Sequence, residues 1–162
     1  MTRRLILMRH AKSSWDTAAP DHDRPLNDRG RRAATALGSW LREQAILPDQ
    51  ILCSSAARTV ETCARLRLDT APEYHRALYH ADPDTMLRLL RGASGHCVLM
   101  IGHNPGIAAM AAGMVSAPPD SPHFDRYPTG ATLVADFGIE DWGELIPGTG
   151  QASAFIAPRE LG

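Results

Sequence analysis

The sequence predicts an α/β protein, built as a three-layer α/β/α sandwich around a mainly parallel sheet. Short apolar runs alternate with helical patterns along the chain, and two of the runs are almost unbroken, as expected for strands covered on both faces. The predicted strands cover residues 3–8, 50–53, 97–101 and 131–137. The length of 162 residues suits one compact domain, so we expect residues 1–162 to fold as a single unit.

Four helices are predicted from apolar residues at helical spacing, within residues 33–41, 56–64, 86–90 and 107–115. Asn27 is a plausible cap for the first helix, and Pro48 is a stop. The third helix has Asp82 before Pro83 at its start and Gly92 at its end. Segments 118–122 and 147–150 are rich in proline or glycine and are predicted to be loops.

Composition narrows the classes of function. The net charge is −1 and aromatic residues make up 6%, so we expect neither a nucleic-acid footprint nor a membrane-binding patch. No apolar run approaches the roughly 18 residues of a spanning helix, and cytoplasmic residence is the expectation. Cys53, Cys63 and Cys97 lack CxxC spacing and are expected to be reduced thiols. A catalytic cysteine is the alternative, with Cys97 beside His96 as its candidate.

Reactive polar side chains follow three of the predicted strands. Arg9 and His10 come directly after the first strand, and Ser54 follows the second, with Arg58 in the first turn of the next helix. His103 follows the third strand, again at the entry to a helix. Because ligands of open α/β sheets bind beyond the carboxyl ends of strands, two arginines and two histidines should meet at one edge of the sheet.

This set of residue types points to a phosphoryl group. Guanidinium groups hold phosphate oxygens in a fork, and Lys12, Ser13 and the helix starts add donors for an anion. A neutral histidine can attack phosphorus, while a second histidine stabilises the charge that develops on oxygen. The sequence contains no Walker A motif and no acidic cluster, and His75 and His80 lack metal-ligand spacing. We therefore expect no cofactor and no metal.

These residues resemble the histidine phosphatase superfamily, in particular its small SixA-type branch. The family's first motif, Arg-His-Gly-x-Ser-x-x-Asn, reads RHAKSSWD here, with Ala11 in place of glycine and Asp16 in place of asparagine. The second feature appears as RPLNDRG at residues 24–30, and the Ser-x-x-x-Arg-x-x-x-Thr motif appears as SSAARTVET around Arg58. GHNPG carries His103, and the similarity continues through residue 131. Four motifs in the family's order make the resemblance specific.

The resemblance implies a phosphoglycerate mutase-like fold for a single histidine phosphatase domain over residues 1–162. It makes His10 the nucleophile that becomes phosphorylated. The phosphoryl group would be held by Arg9, Arg58 and His103, with Ser13 either a further donor or a simple loop hydroxyl. Relatives place a glutamate general acid near His80, where this chain has none, so His80 and Asp82 are the candidate proton donors. The plainer interpretations are an exposed loop histidine and a helix cap.

The absence of this glutamate indicates which class of substrate the site can hydrolyse. An alkoxide leaving group needs a proton, whereas phosphohistidine already carries one on its second ring nitrogen. We therefore expect a phosphatase acting on phosphohistidine of a partner protein, with inorganic phosphate or another oxyanion in the pocket. A small-molecule phosphomonoesterase and a non-catalytic phospholigand-binding module are the alternatives. The basic residues of the first helix, Arg29, Arg31 and Arg32, are expected on its wet face, where they could also contact an acidic protein surface.

Overall fold

A computed structural model describes residues 2–162, which form a six-stranded sheet flanked by four α-helices. The strands are β1 (Arg3–Arg9), β2 (Gln50–Ser54), β3 (Pro72–His75), β4 (Cys97–Gly102), β5 (Thr132–Phe137) and β6 (Gln151–Ile156). The helices are α1 (Asp28–Glu43), α2 (Ala57–Leu66), α3 (Pro83–Arg91) and α4 (Gly106–Met114). Within this described part, no helix combines the length and the apolar character needed to cross a membrane.

The structure contains every strand and helix that the sequence predicts, together with two strands that the sequence analysis missed. The predicted caps are present: the side chain of Asn27 accepts the N–H of Gly30 at 2.8 Å, and that of Asp82 accepts the N–H of Thr85 at 2.8 Å. The missed strands are β3 and β6. β3 begins with a proline and is half-exposed, and β6 has only a short apolar run at its end, so neither shows a clear strand pattern.

The sheet has the strand order β3-β2-β4-β1-β5-β6. The first four strands pair in parallel, whereas β5 pairs with β1, and β6 with β5, in antiparallel fashion. The prediction of a mainly parallel sheet is therefore confirmed. The parallel arrangement places the carboxyl ends of β1, β2 and β4 at one edge, because neighbouring parallel strands run in the same direction.

Apolar layers cover both faces of the sheet. Along β1, Leu5 and Leu7 point into one core, and Ile6 and Met8 point into the other, as the two-residue period of a strand requires. The first core includes apolar side chains of α3 and α4, and the second includes those of α1 and α2. The result is the three-layer sandwich, and it explains why the central strands are almost wholly apolar.

Candidate active site

The edge formed by β1, β4 and β2 brings together the polar residues that follow these strands. Arg9 at the end of β1 pairs in register with Gly102 of β4, which places His10 and His103 side by side. The centroids of the two imidazole rings are 5.3 Å apart. The guanidinium of Arg58 reaches the same place from the first turn of α2. The structure thus confirms the predicted convergence in space of two arginines and two histidines.

A single hydrogen bond determines which ring nitrogen of His10 carries the hydrogen. Nδ1 lies 2.7 Å from the carbonyl oxygen of Ala11, which can only accept, so Nδ1 carries the hydrogen and Nε2 keeps a lone pair. The side chain of Thr62 accepts the N–H of Ala11 at 3.0 Å and holds this turn in place. Burial lowers the pKa of His10 to about 3, against the raising effect of the Ala11 carbonyl, and Arg9, Arg58 and Arg24 lower it further. The ring is therefore neutral at pH 7.

In the His103 ring, Nε2 rather than Nδ1 makes the hydrogen bond to the protein. Its Nε2 lies 2.7 Å from the hydroxyl oxygen of Ser54, which also accepts the N–H of Ala56 at 3.3 Å. Ser54 is fully buried, and Nε2 of His103 is the only acceptor for its hydroxyl within residues 2–162. Ser54 therefore donates to Nε2, which leaves the hydrogen of His103 on Nδ1. Burial first, and then His10 and Arg58, lower the pKa of His103 to about 2, so this ring is also neutral.

Three nitrogen atoms of the site are buried and have no hydrogen-bond partner within residues 2–162: Nε of Arg9, Nε of Arg58 and Nδ1 of His103. All three residues line one cavity of about 250 Å³. Because a buried donor without a partner is costly, such a group is typical of a position built for a ligand. Three N–H donors and the lone pair of His10 around one cavity can hold a tetrahedral dianion.

Asp21 organises the cations of the site, and sequence analysis missed it. Its backbone and side-chain oxygens accept from Arg58 at 2.7 and 3.1 Å, and its carboxylate also accepts from Nε of Arg24 at 3.1 Å. A hydrogen bond from the hydroxyl of Tyr79 is the main reason that the pKa of Asp21 lies well below its ordinary value, and a bond to His80 lowers it further. Asp21 begins a single short 3₁₀ turn, Asp21–Asp23, which is too short for a periodic pattern, so nothing in the sequence marks it.

The two candidate proton donors have different positions. His80 lines the cavity, with its ring centroid 5.2 Å from that of His103 and its Nε2 3.1 Å from a carboxylate oxygen of Asp21. Gly106 permits this placement, because a Cβ there would lie 1.9 Å from the carbonyl oxygen of Ala81. Asp82 does not line the cavity: its carboxylate caps α3, which lowers its pKa. Asp82 is therefore removed as a candidate.

Ser13 lines the cavity as predicted, but its hydroxyl already accepts a hydrogen bond from Arg24 at 2.9 Å. Arg24 stacks on Trp15, with its Cζ 3.6 Å from the ring centroid, and the tryptophan remains 75% exposed at the rim. The side chain of Asp16 does not line the cavity, and Ala11 is buried beside it.

The alternative of a catalytic cysteine finds no support in the structure. Burial raises the pKa of the Cys97 thiol to about 11, so this thiol is less ionised than an ordinary one. Neither Cys53 nor Cys63 lines the cavity, and all three cysteines are free thiols. Among residues 2–162, no group of three His, Cys, Asp or Glu side chains has the arrangement of a metal site.

This geometry defines a protein class, that of α/β proteins with an oxyanion pocket of paired arginines and histidines. A model of the histidine phosphatase superfamily (branch 1) matches residues 5–82. An uncharacterized protein of Mycobacterium tuberculosis is 33% identical over 159 residues, covering 94% of this chain and 100% of the relative. A structure from Nakamurella multipartitia, provisionally named phosphohistidine phosphatase SixA, is 32% identical with a TM-score of 0.86, covering 98% of this chain and 97% of that one.

A second similar structure, the protein histidine phosphatase SixA complexed with tungstate, shares the fold at 21% identity and a TM-score of 0.77, covering 98% of this chain and 99% of that one. The chain therefore belongs to the histidine phosphatase superfamily and is of the SixA type. Its sheet and four helices match the phosphoglycerate mutase-like fold of these neighbours. Membership of this family supports phosphatase activity.

Proposed function

We propose that the protein hydrolyses phosphohistidine on a partner protein through a phosphorylated intermediate on His10. The observation that carries the proposal is the protonation pattern of the two rings. His10 is neutral with a lone pair on Nε2, and His103 is neutral with its hydrogen on Nδ1. One ring is thus suited to attack phosphorus, and the other to donate to a phosphoryl oxygen.

The first step transfers the phosphoryl group from the substrate to His10. Nε2 of His10 forms a bond to phosphorus as the P–N bond of the substrate breaks. The substrate imidazole leaves as a neutral ring, because its second nitrogen already carries a hydrogen. Arg9, Arg58 and His103, which all line the cavity, hold the phosphoryl oxygens with their N–H groups. Water then attacks phosphorus, the P–N bond to His10 breaks, and inorganic phosphate leaves.

The carboxylates of the site support a P–N substrate over a P–O substrate. Within the described residues, Asp21 is the only carboxylate that lines the cavity, and its lowered pKa keeps it ionised at pH 7. It therefore has no proton to give to an alkoxide leaving group. His80 is the remaining candidate donor, oriented by its hydrogen bond to Asp21. The lack of a good proton donor in the site slows P–O cleavage much more than it slows the release of a neutral imidazole.

The shape of the site supports a protein substrate. Trp15 is 75% exposed at the rim, and His80 and Lys12 are also exposed, so the cavity opens to solvent without a covering lid. Small-molecule sites usually enclose most of their ligand, whereas a phosphorylated side chain needs only a short open approach. The tungstate bound in the structure of the protein histidine phosphatase SixA is consistent with a tetrahedral anion in this pocket.

The test is to mix the protein with a histidine-phosphorylated protein carrying labelled phosphate, in the presence of EDTA. We expect a transient, acid-labile label that maps to the peptide containing His10, followed by release of inorganic phosphate. The His10→Ala variant should show neither label nor turnover, while His75→Ala, which changes a histidine outside the cavity, should match the wild type.

Three results would contradict the proposal. Turnover retained in His10→Ala would mean that water attacks the substrate directly. Equal kcat/KM for a plain alkyl phosphate and for the phosphohistidine protein would instead indicate a small-molecule phosphomonoesterase. Binding of phosphate without any turnover would indicate a non-catalytic phospholigand-binding module.

A further inference from the structure

A second cavity, of about 300 Å³, lies beside the candidate active site and has a strongly basic lining. We name it the basic groove and define it by its charged and titratable residues, Lys12, Arg29, His123, Arg126 and Arg159. No carboxylate among residues 2–162 lines it. Lys12 and Thr129 line both cavities, so the groove is continuous with the pocket that holds His10.

The positive charge of the basic groove is not neutralised within the described chain. The side chains of Lys12, Arg29, Arg126 and Arg159 take part in no ion pair and no hydrogen bond between residues 2 and 162. By contrast Arg31, two residues after Arg29, pairs with Asp28 at 2.9 Å and with Glu61 at 2.6 Å.

The basic groove concentrates positive charge on one part of the surface, although the whole chain has a net charge of only −1. No acidic side chain among residues 2–162 forms an ion pair with the cations of the groove. The neighbouring Asp28 is paired with Arg31 instead, and the carboxylate of Glu160 accepts the backbone N–H of Ala157 at 3.0 Å. Like charges held together without a counter-ion repel one another, so the arrangement favours an anionic occupant.

We infer that the basic groove binds an acidic segment of the phosphorylated protein substrate while its phosphohistidine occupies the neighbouring pocket. This inference rests on the proposed function. Lys12, Arg29, Arg126 and Arg159 are exposed side chains from separate parts of the chain, arranged over an apolar floor that includes Ala33 and Pro158. A site for a second small anion would instead hold it with buried, oriented donors. Exposed cations of this kind steer and select an acidic protein surface.

The experiment compares two phosphohistidine peptides of equal length, one with glutamate-rich flanks and the other with glutamine-rich flanks, together with phosphoimidazole. The variant is Arg29→Gln/Arg126→Gln/Arg159→Gln, which leaves Lys12 and the candidate catalytic residues unchanged. The matched control is Arg32→Gln/Arg67→Gln/Arg88→Gln, which removes equal charge from exposed arginines outside the groove. Steady-state kinetics are measured at low and at high salt.

We expect the wild type to prefer the glutamate-rich peptide by about tenfold in kcat/KM at low salt, since each exposed ion pair contributes modestly. The groove variant should lose this preference yet hydrolyse phosphoimidazole at the wild-type rate, and the control should retain the preference. High salt should reduce the preference of the wild type, because it screens exposed charges.

Two outcomes would overturn the inference, and they differ in what they say about the proposed function. Equal preference in the groove variant and the wild type, with both peptides hydrolysed, would reject the groove alone. Hydrolysis of phosphoimidazole without hydrolysis of either peptide would reject both the groove and the assignment of a protein substrate.

Discussion

The neutral state of the two buried imidazoles has a measurable consequence for stability. Burial lowers the pKa of His10 from 6.5 to about 3 and that of His103 from 6.5 to about 2. In the unfolded chain both rings bind a proton below about pH 6.5. Between pH 6.5 and pH 3 the unfolded state therefore binds more protons than the folded state, so stability falls as the pH is lowered through this window.

The size of the effect follows from the pKa difference. At pH 5 the unfolded rings are almost fully protonated and the folded rings are not, which costs about 2 kcal/mol per histidine relative to pH 7. Together His10 and His103 should lower the free energy of unfolding by about 4 kcal/mol between pH 7 and pH 5. Carboxylates such as Asp21, whose pKa is lowered in the folded state from 3.8, contribute mainly below about pH 5.

Urea denaturation at a series of pH values measures this quantity. The double variant His10→Asn/His103→Asn should lose most of the pH dependence between pH 5 and pH 7, whereas His75→Asn should keep it. NMR titration of the wild-type rings supplies a second measurement that does not depend on a variant. Buffers must be free of phosphate, because an anion in the pocket would favour the protonated rings.

The reasoning would be refuted if the two rings titrated near pH 6.5 in the folded protein, or if the double variant kept the full pH dependence. Either result would mean that burial does not keep the two rings neutral between pH 3 and pH 6.5. A protonated imidazole has no lone pair on Nε2 and cannot attack phosphorus, so His10 would then lose its nucleophilic form as the pH falls below 6.5.

Three further predictions concern residues in or beside the candidate active site. Ser54→Ala removes the donor that holds the hydrogen of His103 on Nδ1, so kcat should fall about 10- to 100-fold with little change in KM. The ¹⁵N shifts of His103 should report the altered tautomer. Ser55→Ala is the control, and an unchanged kcat in Ser54→Ala would contradict the role of Ser54. His80→Gln should reduce turnover of an alkyl phosphate more than that of phosphohistidine. Asp82→Ala should leave both rates unchanged and lower the melting temperature of the protein, through loss of the cap of α3. A rate loss in Asp82→Ala instead would restore Asp82 as the proton donor.

Sequence reasoning succeeded where a local pattern reflects a strong local constraint. The apolar runs of β1 and β4 could be recognised because strands covered on both faces need apolar side chains at every position. Asn27 and Asp82 could be recognised as caps because the first N–H groups of a helix need an acceptor. β3 and β6 lie at the edges of the sheet, where the constraint is weaker, and they were missed.

The residues of the candidate active site show the same difference between positions marked by a local pattern and positions that are not. Arg9, His10 and His103 could be predicted to converge because each directly follows a buried strand, and parallel strands end at one edge of the sheet. Asp21 and Tyr79 reach the site from loops 58 residues apart, and nothing near them in the sequence indicates that they will meet. The basic groove is of the same kind, because Arg29, Arg126 and Arg159 come from distant segments.

The sequence by itself determined the layered architecture and the residue types of the pocket, because strand periodicity, helix capping and the chemistry of phosphate recognition act over short stretches of chain. Only the tertiary structure decided which nitrogen of each imidazole carries the hydrogen and which carboxylate holds Arg58. These properties depend on hydrogen bonds to Ala11, Ser54 and Asp21 and on the exclusion of water. Such burial and such hydrogen-bond partners exist only once distant segments of the chain have packed together.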